Sequence, residues 1–308
     1  MWNLNFEPPK VIEARVLTSM PDPLRRARPS DWANANKSGR IADSFLEGPA
    51  FDRAGNLYVT DIPHGRIFRI DPSLQWHLVA EYDGWPNGIA IHRDGSLWIT
   101  DYRKGLVRID PGNGQIEPLL THRNSESFKG VNDLVFDPQG RCWFTDQGQT
   151  GLQDPTGRVY RWDPSDGRLD CLMSTVPSPN GIALDAEGEA VFVAVTRANA
   201  VWRGPLMQDG TVSKVNAFRT FFGVSGPDGL AMDAQNRLIV AHVGLGGAFV
   251  VTPMGEVTHF VRSPAGVQVT NIAYRPGTNE MVMTDSQTGC VLVADMPSPG
   301  LTLFSHTS

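Results

Sequence analysis

Short apolar runs, each cut off by Gly, Pro, Asp or Asn, follow one another along the chain, and long stretches at helical spacing are absent. Six of these runs open the same phrase: a polar residue, a small turn residue, a few apolar positions, a tight turn, then a second apolar run. The copies read "EGPAFDRAGNLYVTD" from Glu47, "NGIAIHRDGSLWITD" from Asn87 and "NDLVFDPQGRCWFTD" from Asn132. They continue as "NGIALDAEGEAVFVAVT" from Asn180, "DGLAMDAQNRLIVAH" from Asp228 and "NIAYRPGTNEMVMTD" from Asn271. Their starts lie 40, 45, 48, 48 and 43 residues apart. In five copies the second run ends fourteen residues after the phrase begins, at Asp61, Asp101, Asp146, His242 and Asp285; the fourth is two longer and reaches Thr196.

Each phrase is a hairpin, since "DG", "QG" and "EG" between β-rich runs mark tight turns. Two further strand-like runs follow it, such as "RIFRID" and "WHLVAEY". Four short strands per repeat of this length predict an all-β fold, a six-bladed β-propeller with four antiparallel strands per blade. Residues 1–308 are expected to form one propeller domain, with blades starting near 47, 87, 132, 180, 228 and 271. Residues 1–45 supply a connector and a closing strand: "KVIEARVLTS" at Lys10–Ser19 is placed to complete the last blade, and Pro21–Gly39 to drape over one face.

In a propeller the first strand of each blade lines the central channel. Glu47, Asn87, Asn132, Asn180, Asp228 and Asn271 are therefore expected as a polar ring at one mouth. For Asn87 and Asn271 turn chemistry is explanation enough, because Asn tolerates left-handed backbone and bonds nearby amides. It fits the others poorly, since Glu47 is a weak turn residue and Asn132 precedes Asp133, not Gly. Two carboxylates ~5 Å apart at an effective dielectric of about 20 repel by roughly 3 kcal/mol. A divalent cation removes that cost, and two carboxylates with two amide oxygens form a hard ligand set. Calcium suits it best, with magnesium, manganese and zinc as alternatives. A proton shared between the carboxylates is the competing arrangement.

The net charge of −6 gives no basic footprint for nucleic acid. The N-terminal "MWNLNFEPPK" lacks a secretory pattern, and no apolar run is long enough to cross a membrane. Cys142, Cys171 and Cys290 are isolated thiols without paired spacing, which suits a reducing compartment and a cytoplasmic location.

The order "EGP", "ND", "PNG", "PDG" in blades one, three, four and five resembles the SMP-30/gluconolactonase/LRE-like family, over essentially Asp43 to Asp295. The resemblance implies one divalent cation held by Glu47, Asn180 and Asp228, with Asn132 beside it binding cation or substrate. It also implies hydrolysis of small sugar-acid-like lactones, some relatives being phosphotriesterases. Family members often carry an Arg two residues before the blade-three Asn, for substrate hydroxyls. Here that position is Gly130, preceded by Lys129, which is expected either to replace the contact or to be a solvated loop lysine.

Lactone hydrolysis needs a polarised carbonyl, an attacking water and a stabilised oxyanion. A cation supplies the first and last, and Asp228 serves as ligand and general base, with a metal-bound hydroxide as the rival account. No "G-x-S-x-G" is present, so a serine nucleophile is disfavoured. Blade three carries an extra Gly- and amide-rich loop, "DQGQTGLQDPTGRV", placing Gln147 and Gln149 as substrate contacts. His242 replaces the usual Asp in blade five and is a further candidate near Asp228. Asp61, Asp101, Asp146 and Asp285 are read as acceptors that fix loops. The expected activity is that of a metal-dependent lactonase. The alternatives are another hydrolase on the same cation, phosphotriesterase-like, and a non-enzymatic metal-binding scaffold.

Overall fold

The computed structural model describes residues 7–307. Six sheets surround a channel, and each repeated phrase supplies the inner two strands of one sheet. Blade one runs Leu46–Phe51, Leu57–Asp61, Arg66–Ile70 and Trp76–Glu81, in that order outward from the axis. The other blades begin with Pro86–Ile91, Val131–Phe136, Pro179–Leu184, Gly226–Met232 and Val269–Tyr274. The core lies between blades, where alternate faces of adjacent sheets interdigitate. Ile67 of blade one packs with Ile89, Ile91 and Ile99 of blade two, for example.

The ring closes as expected, with one addition. Blade six has three strands of its own, and Arg15–Ser19 completes it antiparallel to Cys290–Asp295. The preceding Lys10–Glu13 is a separate strand that joins blade five, parallel to Val257–Arg262. Buried Ala14 is the switch between them. A single stretch of chain thus stitches the last two blades together and covers two sheet edges.

Every inner strand carries a register shift just after its ring residue, as between Glu47 and Ala50 or between Pro179 and Ile182. Such bulges re-aim side chains. Hydroxyls from the second strands hold the next blade at the same depth. Thr60 donates to the Asn87 carbonyl at 2.8 Å, Thr145 to that of Asn180 at 2.7 Å, and Thr100 to that of Asn132. The backbones that carry the ring are therefore bonded blade to blade. Gly181 is required by this crowding, because a Cβ there would run into the Asp228 carbonyl oxygen.

Blade six corrects the sequence register. Leu46 faces Asp61, and Val269 faces Asp285. Thr270, following Val269, is thus the counterpart of Glu47, and Asn271 stands one position further along, where blade three has Asp133 and blade one Gly48. The slip arises because the blade-six turn holds six residues, 275–280, where blade one has five, 52–56. Counting fourteen residues back from the "TD" end therefore stops one short, at Asn271 instead of Thr270.

The aspartates closing the second strands do fix loops. Asp61 accepts from the Phe45 amide at 2.8 Å, Asp101 from those of Arg103 and Lys104 at 2.9 Å, and Asp146 from that of Gly130 at 2.8 Å. Asp285 accepts from the Gly266 amide at 2.5 Å. Arg66 forms a buried two-nitrogen pair with Asp61, at 2.9 and 2.6 Å.

The connector does cross the face where the inner strands start, but it includes a short helix, Asp31–Asn36. Ser30 caps it by accepting from the Ala33 amide at 3.2 Å. Trp32 and Ala33 anchor it against Ile62, Phe45 and Trp85. On the opposite face the chain after blade six closes the channel: Arg53 donates to the Ser305 and Thr307 carbonyls at 2.7 and 2.9 Å. Phe304 packs against Phe136 and His92 there.

Candidate metal centre at the channel mouth

Four of the expected site residues come to one rim and are buried there: Glu47 is 4% exposed, Asn132 5%, Asn180 8% and Asp228 8%. Each is the second or third residue of its inner strand, where the bulge turns the side chain inward. Asn87 stands at the same level in blade two and is half-buried. The blade-six member is Thr270, whose hydroxyl lies beside Glu47.

Glu47 is fixed on one side only. Its Oε2 accepts from the Gly48 amide at 2.9 Å and from Asn271 Nδ2 at 3.0 Å. Burial nevertheless dominates and raises its carboxyl well above the ordinary range. Asp228 is likewise raised well above it, first by burial, then by the charges of Glu47 and Asp133, against a weaker pull from Lys37 and Arg197. No side-chain hydrogen bond eases it.

Asp133 is the residue that sequence reasoning passed over. It is 7% exposed, and burial together with Glu47 pushes it up to about 8. The signal was present, for "ND" stands where three other blades read "NG" or "DG". That dipeptide was read as an Asn without its turn glycine and not as a second side chain facing the axis. Blade two makes room for it: a Cβ on Gly88 would come within 2.5 Å of Asp133 Oδ1.

Asn132 is oriented by the blade-three loop. Its Nδ2 donates to Gln147 Oε1 at 3.0 Å, and Gln147 Nε2 donates in turn to Ser178 Oγ at 3.0 Å. The Asn132 oxygen is left for another partner. Gln149 is exposed and ties the loop to the connector, with Nε2 donating to Asn36 Oδ1 at 3.2 Å and to Tyr102 Oη at 3.1 Å.

Two expected substrate contacts find other surroundings. His242 is fully buried: it packs against Phe221 and Phe249, and its ring nitrogens lie 3.1 Å from the Val243 carbonyl and from Asn199 Oδ1. The strand end it occupies is enclosed by these rings between blades. Lys129 is exposed on a loop, with its Cβ against Gly148. Gly130 has φ +153°, and a Cβ there would lie 2.5 Å from the Tyr102 ring. A side chain at that position would meet the Tyr102 ring.

Among the described residues, no three His, Cys, Asp or Glu side chains gather as a metal site by themselves. A cation at this rim would have to combine the carboxylates of Glu47 and Asp228 with amide oxygens. The residues fit that demand: among the described residues neither buried carboxylate has a salt-bridge partner, Lys37 and Arg197 offset Asp228 only weakly, and Asn132 presents a free oxygen. A cavity of about 580 Å³ lies elsewhere, running from Asp133 and Asn271 down the channel to residues 300–307 between walls such as Ile91, Leu184 and Met232.

A six-bladed propeller with carboxylates and amides at one mouth defines a class, and the chain belongs to the SMP-30/gluconolactonase/LRE-like family, whose model matches residues 45–287. The chain is 28% identical over 301 residues to lactonase drp35 of Staphylococcus aureus, covering 91% of this chain and 86% of that one. It is 29% identical over 254 residues to lactonase drp35 of Staphylococcus epidermidis, covering 77% of each. Its fold is similar to that of a calcium-binding protein, regucalcin, of Agrobacterium tumefaciens, with a TM-score of 0.76, 19% identity and coverage of 98% of this chain and 100% of that one.

Proposed function

We propose that this protein is a divalent-metal-dependent lactonase that opens small polar lactones at the rim. Glu47, Asn180 and Asp228 hold the cation, with Asn132 beside it. The observation carrying this reading is the pair Glu47 and Asp228, buried together without a salt-bridge partner among the described residues, in a chain of a family whose relatives include lactonases. When bound, the cation polarises the lactone carbonyl and offsets charge on its oxygen.

The side chains supply the rest. Asp228 makes no hydrogen bond of its own, so its carboxylate is free to take a proton from the attacking water. As water adds to the acyl carbon, that proton moves to Asp228. The ring acyl–oxygen bond then breaks, and Asp228 returns the proton to the departing ring oxygen, giving an open-chain hydroxy acid. Asn132, held by Gln147, positions the substrate or the cation through its remaining oxygen. Asn271 keeps Glu47 in place.

The test is Asp228→Ala. Metal content of the purified variant should fall and lactone hydrolysis should be lost, while the circular dichroism of the propeller is retained. A variant that keeps full metal content and full rate removes Asp228 from both roles.

A further inference from the structure

Two cations, half-buried Lys37 and exposed Arg197, lie within electrostatic range of this rim, and neither belongs to the expected ligand set. Lys37 follows the connector helix. Its Nζ lies 3.4 Å from Gln268 Oε1 and 4.5 Å above the Phe45 ring. Arg197 sits in the turn Thr196–Ala198 after the second strand of blade four. That turn is tied to the site, because Thr196 Oγ1 donates at 2.8 Å to the carbonyl of Pro227, the neighbour of Asp228. The charges of Lys37 and Arg197 both act on Asp228 and on each other. Neither joins a salt bridge among the described residues, whereas Arg25, Arg26, Arg66 and Arg103 all do.

A lysine half withdrawn from water, with a second cation in range and no paired carboxylate of its own, is an unfavourable arrangement for a surface with nothing to bind. The connector is held in place to maintain it, by Trp32 below and by Asn36 bonding to Gln149 of the blade-three loop. Charge counting points the same way. With a divalent cation bound, Glu47, Asp133 and Asp228 are outweighed by the ion together with Lys37 and Arg197, leaving one positive charge over.

We propose that Lys37 and Arg197 form an anion subsite beside the cation, so that the favoured substrate is a lactone carrying a carboxylate. This rests on the lactonase reading for its chemistry but not for its binding. The carboxylate sits between the ammonium and guanidinium groups, the ring carbonyl turns to the rim, and the product is a diacid. Such a product leaves more readily once its second carboxylate adds charge near Glu47 and Asp228. The competing role is purely electrostatic: the two cations hold down the repulsion of the rim carboxylates and touch no substrate.

The experiment compares γ-butyrolactone bearing a carboxylate on its γ carbon with γ-valerolactone, where a methyl stands in its place, on manganese-loaded protein. The wild type should favour the acid in kcat/KM. Lys37→Gln and Arg197→Gln should each cost the acid roughly 10- to 100-fold, mainly in KM, as expected for a lost charge-assisted contact. γ-Valerolactone should lose far less, only what the shift of Asp228 costs, and Lys37→Arg should restore most of the acid's loss. Equal losses on both lactones, or no preference in the wild type, overturn the proposal. If neither lactone is opened, the lactonase reading fails while the subsite is still read by calorimetry with glutarate. Binding that weakens at least ~10-fold in Lys37→Gln sustains the subsite, and binding unchanged in the double variant removes it.

Discussion

Removing the cation should make the protein's stability depend on pH in a direction opposite to that of most carboxylates. Asp133 is raised from 3.8 to about 8, mainly by burial and then by Glu47, and both Glu47 and Asp228 are raised as well. A carboxyl raised in the folded state keeps its proton where the unfolded chain has lost it. Folding therefore takes up protons between about pH 4 and pH 8, and the stability involved is present at the low end and lost as pH rises through about 8. For Asp133 alone the gap corresponds to on the order of 5 kcal/mol. With roughly 2 cal/mol/K of unfolding entropy per residue, that is about 8 °C in Tm for a chain of this length. A bound divalent cation supplies the missing charge and removes the penalty. Each ligand carboxylate still protonated must release its proton to bind, so affinity falls steeply below neutrality.

The assay is scanning calorimetry from pH 5.5 to 8.5, in chelator and in saturating calcium or manganese. The difference between the two melts is the informative quantity, because it cancels other buried groups such as Asp61 and Asp101. That difference should be small at pH 5.5 and grow to several degrees by pH 8.5. In Asp133→Asn the chelated protein should lose much of its pH dependence. A difference that stays constant across the range, or a chelated protein that melts higher at pH 8.5 than at 5.5, would refute the reasoning.

Two substitutions test the supports of the rim. Gly130→Ala places a methyl group 2.5 Å from the Tyr102 ring at φ +153°, which should cost about 2–3 kcal/mol and weaken metal binding by shifting Asn132, read by chemical denaturation and by ion titration; unchanged stability would mean that Tyr102 gives way freely. Gln147→Ala releases the Asn132 amide without touching the rim carboxylates. It should lower kcat/KM for a lactone roughly 10-fold at an unchanged melting temperature, in keeping with the loss of one positioning hydrogen bond. An unchanged rate would leave Asn132 without need of its orienting partner.

The propeller was legible in the chain because the repeat is a statement about spacing, and each strand pair shows its period and its turn. The rim residues of blades one, three, four and five were legible for the same reason, since a shared position in the repeat is a shared depth in the channel. Blade six was misread by one residue because Asn271 has the right letter in the wrong register. A longer turn hid the shift, and only the pairing of Val269 with Asp285 reveals it. Asp133 escaped notice because a bulge turns two consecutive side chains toward the axis, which strict alternation forbids. Lys37 and Arg197 lie in a connector and a turn outside the repeat, so no period leads to them. His242 was misjudged because its place at a strand end suggested the face, while the packing of Phe221 and Phe249 encloses it. The family resemblance supplies the proposed ligand set, and the structure places its two carboxylates buried at one rim without a salt-bridge partner among the described residues.

The account turns on whether catalysis needs one ion held between Glu47 and Asp228. Chelator-stripped protein, titrated with manganese or calcium while lactone opening is followed by proton release, measures this directly. The account predicts no opening above background without the ion, a rate that saturates at about one equivalent per chain, and no recovery at any ion concentration in Glu47→Gln combined with Asp228→Asn. Full activity in the stripped protein, or in that double variant, would contradict it.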